Sequence, residues 1–279
     1  VVAGRAVHPI NVRVGGFYHV PDHKALRALV PKIEWARAAC LDAIPVLAGL
    51  EYPDFEQDYE LVALRHESEY AINEGRLVSN RGLDIPINEY NEHFEEIHVE
   101  HSNALHGLHR KRGSYFVGPL ARYTLNADQL SPVAQQAAID AGLGETCNNP
   151  FKSILVRAVE LVYACDEALR IINDIDLPDK PAIDVPIRAG VGHGCTEAPR
   201  GILYHRYEID DAGKILRAQI VPPTSQNQLS IEADVRSTLE AHLDEDDESL
   251  QWVLEQSIRN HDPCISCATH FLDLEVIRD

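Results

Sequence analysis

Cys264 and Cys267 are separated by two residues, and a histidine follows, in Asp262-Pro263-Cys264-Ile265-Ser266-Cys267-Ala268-Thr269-His270. Two thiols at this spacing can chelate a metal ion, cycle as a redox pair, or supply half of a structural zinc site. Attachment of a c-type haem is excluded, because it needs the histidine directly after the second cysteine, and Ala268 and Thr269 intervene. A structural zinc site wants a second cysteine pair, yet Cys40, Cys147, Cys165 and Cys195 stand singly. Upstream, Gly194-Cys195-Thr196-Glu197-Ala198-Pro199-Arg200-Gly201 puts a guanidinium after a proline. Taken alone, Arg200 is a surface cation, Asp262 a helix cap and His270 a surface helix residue.

Size and charge narrow the classes. The chain has 279 residues, enough to bury a large core. Its net charge of −19, with no basic patch, argues against nucleic-acid binding. No apolar run is long enough for a membrane span. The first residues, Val1-Val2-Ala3-Gly4-Arg5, are not a secretion signal. A reducing, cytoplasmic location is therefore expected, with Cys40 and Cys165 as buried free thiols inside helical patterns. Cys195 is read as a packed thiol near the arginine segment.

The elements that must position these residues follow from periodicity. Residues 24–49 repeat apolar positions every three or four, which predicts a helix with one buried face, closed by Pro53. Residues 59–90 alternate in twos around Gly75 and the Asn80-Arg81-Gly82 turn, which predicts short strands and a hairpin. Asn149-Pro150 reads as a cap and first helical residue, opening a long buried helix. Asp210-Asp211-Ala212-Gly213 joins two strand-like runs within 201–222. Residues 228–260 read as two helices parted by the acidic run Asp244–Glu248. His93, His98, His101, His106 and His109 invite a metal reading, but no cysteine accompanies them. Glu96 and Glu100 are expected to pair with them instead, and the run is not read as a metal site. The expected fold is α+β in one domain, a central bundle of long helices with small peripheral antiparallel sheets.

Asp-Pro-Cys-x-x-Cys-x-x-His and Glu197-Ala198-Pro199-Arg200-Gly201 together resemble the C-terminal signatures of the large subunit of nickel–iron hydrogenases. Gly4-Arg5-Ala6-Val7-His8-Pro9, Ser114-Tyr115-Phe116-Val117-Gly118-Pro119-Leu120-Ala121-Arg122 and Val221-Pro222-Pro223-Thr224-Ser225-Gln226-Asn227 also resemble family segments, those of the soluble multisubunit branch among them. The resemblance implies that Cys264 is a terminal nickel ligand. It implies that Cys267 bridges nickel to an iron carrying carbon monoxide and cyanide ligands, and that His270 binds a magnesium-like ion. Arg200 would hang over the open metal position, held by Asp262. Pro199 and Thr224 would flank the cyanide ligands, Thr224 standing in for a serine hydroxyl that many members have where this chain has Pro223.

The implied reaction is reversible heterolytic cleavage of dihydrogen, with Arg200, Asp262 and Cys264 as catalytic residues. The implied partners are an iron–sulfur small subunit, diaphorase-type or other electron-transfer subunits, and a maturation protease cutting after His270 to release Phe271–Asp279. That tail alternates like a half-buried strand. The family's N-terminal nickel motif, Arg-x-Cys-Gly-x-Cys, is not in this sequence, so residues 1–279 are expected to be the C-terminal portion of such a subunit. Two other readings stay open: a non-catalytic relative of the quinone-site type in respiratory complex I, which lacks the cysteine pair, and a structural zinc protein.

Overall fold

The computed structural model describes residues 1–6 and 8–263. Cys264, Cys267, His270 and the 271–279 segment lie outside the described residues. The chain runs through strands β1 (Val12–Arg13) and β2 (Gly16–Phe17), then helices α1 (His23–Arg27) and α2 (Val30–Ala48). Strands β3 (Val62–Arg65), β4 (Arg76–Ser79) and β5 (Asp84–Ile85) follow, then α3 (Tyr90–His93), β6 (Phe94–Ile97) and β7 (His106–His109). Helices α4 (Pro119–Asn126), α5 (Pro132–Asp140) and α6 (Ser153–Asp174) come next. The remainder is β8 (Gly190–Ala198), β9 (Gly201–Ile209), β10 (Ile215–Val221), α7 (Pro223–Ala241) and α8 (Asp247–Asn260). Every sheet is small and antiparallel. The architecture is α+β, with small antiparallel sheets packed beside the long helices.

Local chemistry explains most boundaries. Asn149 accepts a hydrogen bond from the Phe151 amide, and a short 3₁₀ turn over Pro150–Lys152 leads into α6. Asp246 caps α8 by accepting from the Glu248 and Ser249 amides, so the acidic run is a turn that starts a helix. The expected helix over 24–49 is divided at Ala28-Leu29, because Pro31 sits in the first turn of α2, where its missing N–H costs nothing. The α2 stripe is shallower than expected: only Ile44 is buried, and Cys40 on α2 and Cys165 on α6 are half-buried rather than buried. Strand β8 adds a third strand to the expected β9–β10 hairpin. Gly190, Gly192 and Gly194 on it blank out the alternation that would have revealed a strand.

Two buried clusters organise the interior. One joins Leu61, Ala63, Phe116 and Leu120 to Val156, Val159 and Val162 on α6. The other joins Val62, Leu64 and Leu77 to Tyr90, Phe94, Tyr115, Ile202 and Tyr204. Because alternate residues of β3 face opposite sides, Leu61 and Ala63 serve the first cluster while Val62 and Leu64 serve the second. Where the segment before α4 crosses the β8–β9 turn, the backbones nearly touch. A Cβ on Gly118 (φ +118°) would lie 2.7 Å from the Arg200 carbonyl oxygen, and one on Gly201 (φ +128°) 2.7 Å from the Gly118 nitrogen. Both positions demand glycine for conformation and for space. Gly201→Ala is therefore expected to lower the unfolding free energy by more than about 1 kcal/mol, read from denaturant titration. An unchanged midpoint would mean that this crossing is not under steric constraint.

Candidate active site

The site begins at the tip of the β8–β9 hairpin. Ala198 pairs with Gly201, so Pro199 and Arg200 form the two-residue turn between the strands. A buried arginine from α4 reaches the carbonyls of this turn. Arg122 Nη1 donates to the Ala198 carbonyl and Nη2 to the Pro199 carbonyl, each at 2.9 Å. Its remaining donors go to Glu197 Oε2 (3.1 Å) and to both oxygens of Glu160 (2.7 and 2.8 Å). All five N–H groups of the guanidinium are thus used. Glu197 also accepts from the Leu64 amide at 2.9 Å, and Glu160 from the Tyr70 hydroxyl at 2.7 Å. Burial alone would lower the Arg122 pKa, but Glu160 and Glu197 outweigh it and hold the pKa well above the ordinary value. Burial pushes the Glu197 carboxyl up, and Arg122 opposes that shift.

The other half of the site is the end of α8. Asp262 adopts φ +50°, a left-handed conformation open to aspartate. This turn brings both its carbonyl and its carboxylate toward the hairpin tip. Arg200 Nε donates to the Asp262 carbonyl, and the Asp262 carboxylate lies 3.4 Å away. Both side chains stay partly exposed at a narrow cleft that is also lined by Phe116, Pro119, Arg157, Pro199 and His261. Ser153 Oγ at the start of α6 donates to the Asn260 carbonyl at 2.9 Å and fixes where α8 ends. Burial lowers the Arg157 pKa, while Asp262 acts to raise it.

The structure therefore brings Pro199, Arg200 and Asp262 together. Thr224 stands half-buried in the first turn of α7, outside the cleft lining. That turn is fastened by its neighbours: Gln226 Nε2 donates to the Ile202 carbonyl at 2.6 Å, and Asn227 exchanges two hydrogen bonds with the Val117 backbone. Pro223 opens the helix at a position where its missing N–H is harmless.

Several polar residues near the site were not singled out from sequence. His261, next to Asp262, is buried and lies 2.9 Å through Nε2 from Asp234 Oδ2, which also accepts from the Tyr59 hydroxyl at 2.5 Å. Burial, then the Asp234 charge, drives the Tyr59 pKa far up, so the phenol stays protonated and donating. Tyr59, Asp234 and His261 are far apart in sequence and carry no motif; only the fold joins them. The histidine run also differs from expectation. Beyond His93, the last residue of α3, it runs strand–loop–strand, and His101 and His106 meet Glu232 of α7 instead of Glu96 and Glu100.

The described cysteines are packed thiols or half-buried ones. Cys147 and Cys195 are buried, Cys40 and Cys165 half-buried, and none of the four lines the cleft.

The chain is similar to known proteins over most of its length. The family model described as nickel-dependent hydrogenase matches residues 113–270. The sulfhydrogenase 1 subunit alpha of Pyrococcus furiosus is 32% identical over 98% of this chain and 64% of its own length. The NAD-reducing hydrogenase HoxS subunit beta of Cupriavidus necator is 36% identical over 68% of this chain and 41% of its own. Among solved structures, an NAD+-reducing NiFe hydrogenase in the H2-reduced state superposes with a TM-score of 0.81 at 23% identity, covering 96% of this chain and 64% of that one. The Ni-Fe-Se hydrogenase from D. vulgaris Hildenborough follows at 0.65 and 20%, with coverages of 96% and 66%. The chain thus spans about two thirds or less of the length of these relatives. The matches favour neither the quinone-site class nor a structural zinc protein.

Burial pushes the Cys195 and Cys147 thiols up, Cys195 further by the neighbouring Glu197 charge. Native alkylation with iodoacetamide at neutral pH, followed by peptide mass spectrometry, is expected to leave both unlabelled until the protein is unfolded. Rapid native labelling of Cys195 would contradict its placement in the core.

Proposed function

The chain belongs to the nickel-dependent hydrogenase family, and on that premise we propose that it is the C-terminal, catalytic part of a hydrogenase large subunit that cleaves dihydrogen heterolytically and reversibly. The observation that carries this reading is the meeting of Arg200 with Asp262 at the point where the chain enters Pro263-Cys264-Ile265-Ser266-Cys267. Arg200 is thus held against the residue that precedes Pro263 and the Cys-x-x-Cys pair in the sequence.

The residues present suit part of a nickel–iron centre. Cys264 and Cys267 offer two soft thiolates, the donor type that holds redox metals of this kind. Asn260 Nδ2 and His261 Nδ1 are buried beside the cleft without a hydrogen-bond partner among the described residues. Unsatisfied polar atoms there are consistent with a polar group seated against them. The described cysteines are packed elsewhere, so two further thiolates would come from a separate stretch of polypeptide. When bound, nickel with an iron carrying carbon monoxide and cyanide supplies the Lewis acidity that activates dihydrogen.

The chain's own groups do the rest. Arg200 presents a rigid, permanently charged fork that polarises the bound molecule. Asp262 holds that fork through its carbonyl and carboxylate. A terminal thiolate, for which Cys264 is one candidate, or a nearby carboxylate would take the proton. Pro199, which lines the cleft, would flank the diatomic ligands; Thr224 stands outside that lining, so its part in holding them rests on the family resemblance, as does that of His270 in holding a magnesium ion. Electrons leave through an iron–sulfur small subunit toward diaphorase-type or other electron-transfer partners, a reading supported by the relative named as an NAD-reducing hydrogenase subunit. Exposed apolar side chains such as Trp35 on α2 and Leu161 on α6 offer surface for such a partner. A maturation protease trims the chain after His270. Free thiols at every described cysteine favour a cytoplasmic setting, and no described helix is long and apolar enough to cross a membrane.

The test is made on the assembled enzyme containing this chain, by metal analysis and hydrogen uptake measured together. Arg200→Lys is expected to retain nickel and iron but lose about 10²-fold in turnover, since a flexible point charge does not replace a preorganised fork. Cys264→Ser is expected to lose nickel and activity together. Wild-type turnover in Arg200→Lys would remove Arg200 from the reaction, and zinc in place of nickel and iron would overturn the reading.

A further inference from the structure

Three side chains from two distant stretches converge beside α7. His101 lies in the loop between β6 and β7, His106 opens β7, and Glu232 stands on α7. His101 Nε2 is 2.8 Å from Glu232 Oε1, and His106 Nε2 is 3.7 Å from the same oxygen. One ligand atom from each residue falls within 4.8 Å of the other two. His106 is fully buried, yet neither ring nitrogen has a hydrogen-bond partner among the described residues. The 3.7 Å approach to Glu232 is too long to count as one. A buried imidazole left in this way is an exception in folded proteins and calls for a bound group to explain it.

The three positions are fixed rather than incidental. His106 pairs with Ile97 across the β6–β7 ladder. At the next residue, a Cβ on Gly107 would lie 3.0 Å from Gln226 Cα, so β7 and α7 are in close contact. Glu232 is held between two anchors on α7: Ser230 Oγ donates to the Tyr115 carbonyl at 3.0 Å, and Asp234 accepts from Tyr59. On the outer side His101 and Glu232 are open to solvent, their side chains 67% and 40% exposed, which leaves an entry path for an ion.

Two neutral imidazoles and one carboxylate are the donor set of a borderline divalent transition ion, with solvent completing the shell. Calcium or magnesium would call for oxygen ligands throughout. We propose that His101, His106 and Glu232 form a binding site for a zinc-class divalent cation that ties the 98–105 loop to α7. None of the three lines the Arg200–Asp262 cleft.

The probe is cobalt(II), with zinc as competitor, added to the full chain carrying Cys264→Ser and Cys267→Ser so that the cysteine pair does not compete. One equivalent is expected to bind with the visible d–d absorption of a nitrogen–oxygen site and no thiolate charge-transfer band, and zinc is expected to displace it. His101→Ala and Glu232→Gln, both at solvent-exposed side chains, are each expected to weaken binding at least ~10-fold. His106→Ala is followed alongside by circular dichroism, because that residue is buried, and the two exposed ligands carry the decision. Equal affinity in His101→Ala and Glu232→Gln, or no saturable cobalt binding to the parent chain, would overturn the site.

Discussion

A single buried guanidinium determines where the Pro199-Arg200 turn sits. Arg122 comes from α4, inside the hydrophobic interior, and ends against the tip of the β8–β9 hairpin. Its charge faces Glu160 of α6 and Glu197 of β8, and two further donors reach the Ala198 and Pro199 carbonyls at the turn. Burying such a triad gains little net stability over an apolar replacement, because desolvation consumes most of the attraction. Removing Arg122 is another matter and costs about 3–5 kcal/mol, since two buried carboxylates lose their cation. The triad is better understood as a device of position. It joins α4, α6 and the hairpin so that Arg200, one residue beyond the clamped carbonyl, faces Asp262.

Close backbone packing does the complementary work. Gly118 and Gly201 let the segment before α4 cross the hairpin tip at van der Waals distance. Asn227 then bonds Val117 through both amide atoms, so the start of α7 grips the same crossing from its other side. The clamp and the crossing are independent constraints on one short turn. Where sites must place a charged fork to within a fraction of an ångström, rigid support of this kind is what allows an exposed arginine to act as a fixed one.

What the sequence disclosed and what it hid divide along a physical line. Features set by neighbours were legible: the Asn149-Pro150 entry to α6, the break between two helices at Asp244–Glu248, the Asp210–Gly213 hairpin turn and the α+β layout. Features set by contacts across the chain were not. Arg122 lies within a segment that could be matched to the family, but nothing local says that its five donors reach Glu160, Glu197 and the hairpin carbonyls. The Tyr59–Asp234–His261 contact and the His101–His106–Glu232 convergence join residues with no common spacing. The expected Glu96 and Glu100 partners are not those of His101 and His106, because β6 and β7 claim that stretch and bring both imidazoles to Glu232 of α7. Arg200 and Asp262 could be assigned to one site only by resemblance, since no periodicity links positions so far apart.

The central claim is that the Arg122 clamp, more than the Arg200–Asp262 contact itself, fixes the hairpin tip. Hydrogen–deuterium exchange of the peptide spanning residues 194–203, compared between the native chain and Arg122→Met, tests it most directly. The amides around Ala198–Gly201 are expected to exchange markedly faster in Arg122→Met while those of α6 keep their protection. Unchanged protection at the tip in a folded Arg122→Met protein would show that the hairpin holds its place without the clamp.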